Sequence, residues 1–265
     1  MSTASPLAPA LAARALRHRR SARRLTAGQL ADFRRAITES QAIGDDRGYQ
    51  RWAGIHGLPL PISCVHNDEL FLPWHRAYLY FFEKSLQDRV PGVTLPWWDW
   101  TNHIEGVPGP YARRRADGRK NPLFDSPIQA SGRVSPRQAR TTRQPGDPDE
   151  LPSAAEIGAV LANRDFLTFQ NQLEGIHGGV HVWTGGTMGS VPTAAYDPLF
   201  WAHHCMIDRL WYLWQLRHPG AGVPASLLGR ALAPFPMTVR QTLDVTQLGY
   251  DYAAATAAAK GPGRG

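Results

Sequence analysis

The run from Asp197 to about Leu216 constrains the fold more than any other segment. It reads as one helix carrying two adjacent imidazoles, His203 and His204, among Leu199, Phe200, Trp201 and Met206. Imidazoles buried without partners are costly. His177 and His181 stand four residues apart on a second helical stretch, predicted from Ala154 through His181. That spacing sends both side chains off one helix face, where they can converge on a single ion. Three histidines can therefore meet around one metal.

The upstream half repeats the arrangement. His56 ends a helix predicted over Tyr49–His56, His66 falls on a turn, and His75 starts a helix predicted over Pro73–Leu86 with Arg76, Tyr78, Tyr80 and Phe81. All-imidazole sets suit copper, zinc or iron, and no carboxylate stands in H-E-x-x-H or facial-triad spacing. A metalloprotease and a mononuclear iron oxygenase are thereby disfavoured. Chemistry alone leaves copper and zinc both open.

The remaining chain frames these helices. Thr26 and Gln29 ahead of Leu30, Phe33 and Ile37 predict a capped amphipathic helix, whereas the Gly-, Pro- and Arg-rich stretch of 102–152 predicts a long loop with short strands. Residues 1–24 read as a flexible basic arm, 25–252 as a single domain and 253–265 as a disordered tail. With 265 residues and 43% hydrophobic content, one substantial core is expected.

The formal charge of +7 is concentrated in the arm and in Arg113, Arg114, Arg115, Arg119 and Lys120. No zinc-finger or RNP-like pattern accompanies these groups, so solvated basic loops are preferred to a nucleic-acid site. Two cysteines are too few for a disulfide framework, and no run of eighteen apolar residues predicts a membrane span. No signal peptide is recognised, so a cytoplasmic protein, or one exported with a partner, is expected.

The string His66-Asn-Asp-Glu-Leu-Phe-Leu-Pro-Trp-His75-Arg76 resembles the first copper signature of tyrosinases. The string Asp197-Pro-Leu-Phe-Trp-Ala-His-His-Cys-Met-Ile-Asp-Arg-Leu-Trp211 resembles the second. The resemblance runs from about Leu25 to Tyr252, taking in Leu95–Trp100, Leu173–Trp183 and Leu248–Tyr252 in family order. It implies a mainly α fold whose four-helix bundle holds a dinuclear copper site, with long loops and a few short strands.

Carried over, the family pattern makes His56, His66 and His75 ligands of one copper ion and His177, His181 and His204 ligands of the other. His203 becomes a neighbour of the ligands. Asp208, one helical turn past His204, either orients that imidazole or pairs with an arginine. Cys64 stands at the spacing where some members link sulfur to the His66 imidazole by a thioether, the alternative being a free buried thiol. Cys205 reads as packing.

The resemblance also implies an oxidase that uses dioxygen to convert o-diphenols, and more weakly monophenols, to o-quinones. Many efficient monophenol hydroxylases pair a Glu with an Asn to orient a water that takes the phenol proton. Here Glu174 is present but Gly178 holds the Asn position. Met188 and Val191, on the turn Gly185–Pro192, either touch the substrate or cap the core. The turn's glycines are expected to let backbone approach the substrate ring.

The competing readings are an o-aminophenol oxidase forming quinone imines and a haemocyanin-like oxygen carrier. Beyond dioxygen and a phenol, small bacterial members can depend on a copper-loading helper protein. No lid domain is expected beyond Tyr252, and so no proteolytic activation.

Overall fold

The computed structural model describes residues 16–58, 63–128 and 139–253. Most of the predicted arm, 1–15, and the predicted tail beyond Ala253 lie outside these. In chain order the described residues form β1 (Arg17–Arg19), α1 (Ala27–Gln41), α2 (Tyr49–His56), α3 (Phe71–Gln87) and α4 (Gly109–Ala112). The hairpins β2 (Arg115–Ala116) with β3 (Arg119–Lys120) and β4 (Pro127–Ile128) with β5 (Ala139–Arg140) follow. Then come α5 (Ala154–Ala162), α6 (Phe166–Thr184), α7 (Pro198–Arg217), α8 (Val239–Thr242) and β6 (Tyr250–Tyr252). The fold is mainly helical, with the predicted loop and short strands over 102–152. No helix of the described residues is long and apolar enough to cross a membrane.

Local signals account for most helix ends. The Thr26 hydroxyl accepts from Gln29 N at 3.2 Å while Gln29 Oε1 accepts from Thr26 N at 3.0 Å, the capping box that the sequence predicts. The stretch predicted as continuous from Ala154 is two helices. The Asp165 carboxylate accepts from Thr168 N at 2.8 Å and starts α6 anew, so capping chemistry wins over apolar periodicity. The α3 helix starts two residues before Pro73, at Phe71. Its N-terminus is capped from across the bundle by Gln170 of α6, which accepts from Leu72 N at 3.2 Å and donates to Asp68 O at 3.2 Å. Buried α7 packs on α3 through Trp201 stacked over Phe82 at 3.6 Å, with Tyr78 at 4.8 Å. Each such aromatic contributes about 1.5–3 kcal/mol of burial.

The flexible arm expected over 1–24 is corrected for Arg17–Arg24. β1 pairs in parallel with β6, from Arg17 opposite Tyr250 to Arg19 opposite Tyr252. Arg19 is fully buried, donating to Glu83 at 3.0 Å and to Asp208 at 3.1 Å. A run of arginines looks solvated when its acceptors lie far away in sequence. The 102–152 loop is pinned the same way: the Arg143 guanidinium bonds Asp197 at 2.8 Å, Tyr111 O at 2.8 Å and Leu123 O at 2.9 Å. Asp197 in turn caps α7 through Leu199 N at 2.8 Å.

Candidate metal centre

Four helices and one loop bring the histidines together. His56 is the last residue of α2, His75 lies in the first turns of α3, His177 and His181 share a face of α6, and His203 and His204 sit midway along α7. His66 lies on the loop before α3. Nitrogens of His177, His181, His203 and His204 all fall within 4.8 Å of one another, as do those of His56, His75 and His204. His66 groups instead with His56 and the sulfur of Cys64. The expected first trio therefore does not close as a separate set, and His204 joins both halves. The His66 and His75 rings are nonetheless 5.3 Å apart by centroid.

The protons of these imidazoles are set by backbone. His56 Nδ1 lies 3.1 Å from Val191 O, His75 Nδ1 2.9 Å from Phe71 O, and His181 Nδ1 2.8 Å from Met188 O. A carbonyl can only accept, so Nδ1 carries the hydrogen and each Nε2 presents a lone pair. His56 Nε2 and His75 Nε2 are buried without a partner among the described residues. The Nε2 atoms of His177 and His181 each lie 3.3 Å from His204 Nε2. Buried lone pairs aimed at one another need a cation between them. This neutral, carboxylate-free donor set suits copper.

Burial drives the pKa values of His56, His75, His177, His203 and His204 well below the ordinary 6.5, lowers His66, and brings His181 to about 4. Neutral imidazoles are the form that binds metal. Below pH 6.5 the unfolded chain takes up protons that the folded protein refuses, so stability rises with pH there. The metal-free protein is therefore expected to lose urea resistance as pH falls from about 6.5 towards 4, and its copper-loaded form at least as steeply, because bound copper keeps protons off the same nitrogens. Denaturation midpoints across that range check this.

The histidines floor an open cavity of about 640 Å³, lined by His56, His66, His177 and His181 and walled by Glu174, Gly178, Met188 and Val191. Val191 and the neighbouring Val182 are exposed at its mouth. Glu174 and Gly178 stand one turn apart on α6, and a Cβ on Gly178 would meet nothing within 4 Å. Glu174 Oε1 accepts from Asn67 N at 2.6 Å. Burial raises its carboxyl above the ordinary range, against the lowering pull of that hydrogen bond. Met188 and Val191 do line the cavity, and their carbonyls also orient His181 and His56.

Two glycines of their turn, Gly185 and Gly186, serve another end than the one expected. A Cβ on Gly186 would lie 2.3 Å from Thr142 O and one on Gly185 2.8 Å from Gln144 O. Those two let the turn close on the 139–145 segment, whereas Gly189 of the same turn lines the histidine cavity as expected.

Asp208 does not hold His204. Its carboxylate accepts from Arg76, from Arg19 and from the hydroxyls of Tyr250 and Tyr252 at 2.7 and 2.5 Å. His204 Nδ1 has no hydrogen-bond partner among the described residues. The pairing with arginine, the alternative left open by the sequence, is the one realised. Both nitrogens of His203 are buried and make no hydrogen bond of ordinary geometry among the described residues, although the His177 backbone favours its protonated form, and its ring stacks on His177 at 5.2 Å. Cys64 Sγ lies 3.4 Å from His66 Nδ1, and His66 alone of the loop and helix-end histidines lacks a carbonyl anchor. Sequence reasoning missed Asn67 and Asn171, which also line the cavity. The three- and four-residue spacing of Asn171, Glu174 and Gly178 on α6 carried the signal for one of them.

The profile for the common central domain of tyrosinase matches residues 46–217, a span holding all seven of these histidines. The tyrosinase of Streptomyces glaucescens is 37% identical over 190 residues, which cover 61% of this chain and 68% of that protein. A functional unit of octopus haemocyanin superposes with a TM-score of 0.79 at 27% identity, over 90% of this chain and 68% of that one. The tyrosinase of Burkholderia thailandensis shares the fold, with a TM-score of 0.77 at 24% identity over 93% of this chain and 75% of that one. On its sequence and on the helices that gather its histidines, the chain belongs to the tyrosinase family of copper oxidoreductases.

Proposed function

We propose that the chain oxidises o-diphenols to o-quinones with dioxygen, and monophenols more weakly, using two copper ions held by His56, His66 and His75 and by His177, His181 and His204. The observation that carries this reading is the set of partnerless Nε2 atoms beneath a cavity wide enough for a phenolic ring. When bound, copper would supply redox exchange with dioxygen and ease phenol deprotonation. The protein's part is to hold neutral imidazoles in one tautomer, to admit the ring past Val191 and Met188, and to receive the phenol proton at Glu174. Copper loading followed by a metal count and oxygen uptake with catechol, o-aminophenol and tyrosine tests the assignment. Turnover of neither catechol nor o-aminophenol at two coppers per chain would overturn it, and preference for o-aminophenol would move the substrate class to quinone imine formation.

Gly178 is the proposed brake on monophenols, since it cannot share a water with Glu174. The wild type is expected to oxidise catechol strongly, with tyrosine hydroxylated more weakly or only after a lag. Open space at its Cβ means that a side chain can leave position 178 without a backbone clash, which makes Gly178→Asn the variant to test. The variant should raise the tyrosine-to-catechol rate ratio by about tenfold or more, within the range of general-base effects. An unchanged ratio would remove Gly178 from the mechanism.

The 3.4 Å separation of Cys64 Sγ from His66 Nδ1 supports the proposed thioether between these two residues. Forming a carbon–sulfur bond there expels the thiol and ring-carbon hydrogens, with two electrons passing to dioxygen. Intact mass after copper loading in air should fall by two hydrogens, and Cys64→Ala should show no such loss.

A further inference from the structure

A second cavity, of about 440 Å³, lies between the β1–α1 connection, the 97–102 segment and α7, and shares no lining residue with the histidine cavity. Four arginines line it: Arg20, Arg23, Arg24 and Arg209. Its frame is held by main chain, Trp97 N donating to Arg20 O at 3.0 Å and Ala22 N to Trp97 O at 2.8 Å. The half-buried Arg209 guanidinium stacks on the Trp97 indole at 4.1 Å. It finds no hydrogen-bond acceptor among the described residues, and its Nε is buried. Arg23 Nε, Arg23 Nη2 and Trp97 Nε1 are likewise buried without partners. Leaving such donors unpaired is costly.

The facing carboxylates do not balance this charge. Asp99 lines the cavity but accepts from the Thr101 hydroxyl at 2.6 Å, and Glu105 reaches Arg23 Nη1 at 2.9 Å from a half-exposed position. Four arginines against these two acids leave a surplus of two positive charges. The segments outside the described residues, 1–15, 59–62, 129–138 and 254–265, contain no Asp or Glu that could fill the gap.

We propose that this cavity binds a phosphate-class oxyanion, held between the Arg209 and Arg23 guanidinium groups with Arg20 and Arg24 at its rim. Guanidinium forks arriving from different elements suit a tetrahedral oxyanion, and a dianion matches the surplus. Occupancy would brace the 97–100 segment, whose Trp98 N donates to Ala202 O at 2.9 Å, against the helix that carries His203 and His204.

Thermal unfolding of the copper-loaded full chain in inorganic phosphate and in chloride of equal ionic strength tests this. Saturating phosphate should raise Tm by about 5 °C. Arg209→Met, which keeps the stem packed on Trp97, should abolish the rise. Sulfate should act like phosphate and acetate should not. No rise in wild type, an equal rise in Arg209→Met, or an equal response to acetate would each overturn the proposal. Should Arg209→Met fail to fold, the exposed Arg24→Gln keeps the test open. Titration calorimetry with inorganic phosphate should then show one site per chain, at least fivefold weaker in that variant, and an unchanged Kd would overturn the site.

Discussion

Asp208→Ala is expected to destabilise the fold by about 3–5 kcal/mol, because it removes the shared acceptor of a buried charge cluster. Arg19, Arg76, Glu83 and Asp208 are all at most 3% exposed. Arg19 spans Glu83 at 3.0 Å and Asp208 at 3.1 Å, while Arg76 bonds Asp208 and lies 3.6 Å over the Trp211 ring. Burial alone would raise the Asp208 carboxyl, but Arg76 and Arg19, with the Tyr252 hydroxyl, hold it below its ordinary value. Two cations therefore face two anions with the sum near zero. Deleting one anion strands a buried guanidinium and unpartners the hydroxyls of Tyr250 and Tyr252.

The cluster joins β1 and β6, both outside the matched span of 46–217, to α3 and α7 within it. Urea denaturation at neutral pH would read the loss directly. A change below about 1 kcal/mol would mean that β1 does not dock as described. Because Asp208 touches no imidazole, the folded fraction of the variant should still take up copper.

His204→Ala should abolish the metal centre's chemistry. Its Nε2 stands 3.3 Å from both His177 and His181, and its nitrogens also fall within 4.8 Å of His56 and His75. No other imidazole belongs to both halves in that way. Loss of at least one copper per chain and a fall in catechol oxidation beyond about 100-fold are expected, exceeding the cost of losing a residue that merely supports a ligand. His203→Ala should keep its copper and lose less than about tenfold, since that ring stacks on His177 and supports it without being counted among the ligands. Metal analysis and oxygen uptake on both variants decide the matter, and equal losses would leave the choice of His204 unsupported.

What could be read along the chain is what neighbouring residues decide among themselves. The capping box at Thr26, the extent of α2 over Tyr49–His56 and the shared face of His177 and His181 all rest on spacings of three or four residues. The resemblance then named the histidines to gather. The orientation of those histidines was not legible. His56 is turned by the carbonyl of Val191, 135 residues away, and backbone carbonyls carry no side-chain signature. Asp208 was one turn from His204, yet Arg19, 189 residues upstream, and Arg76 took its oxygens first. The basic arm read as solvated for the same reason. A buried charge settles on whichever opposite charge the folded chain delivers, and that choice is made by long-range packing where desolvation makes an unpaired ion costly, not by distance along the sequence.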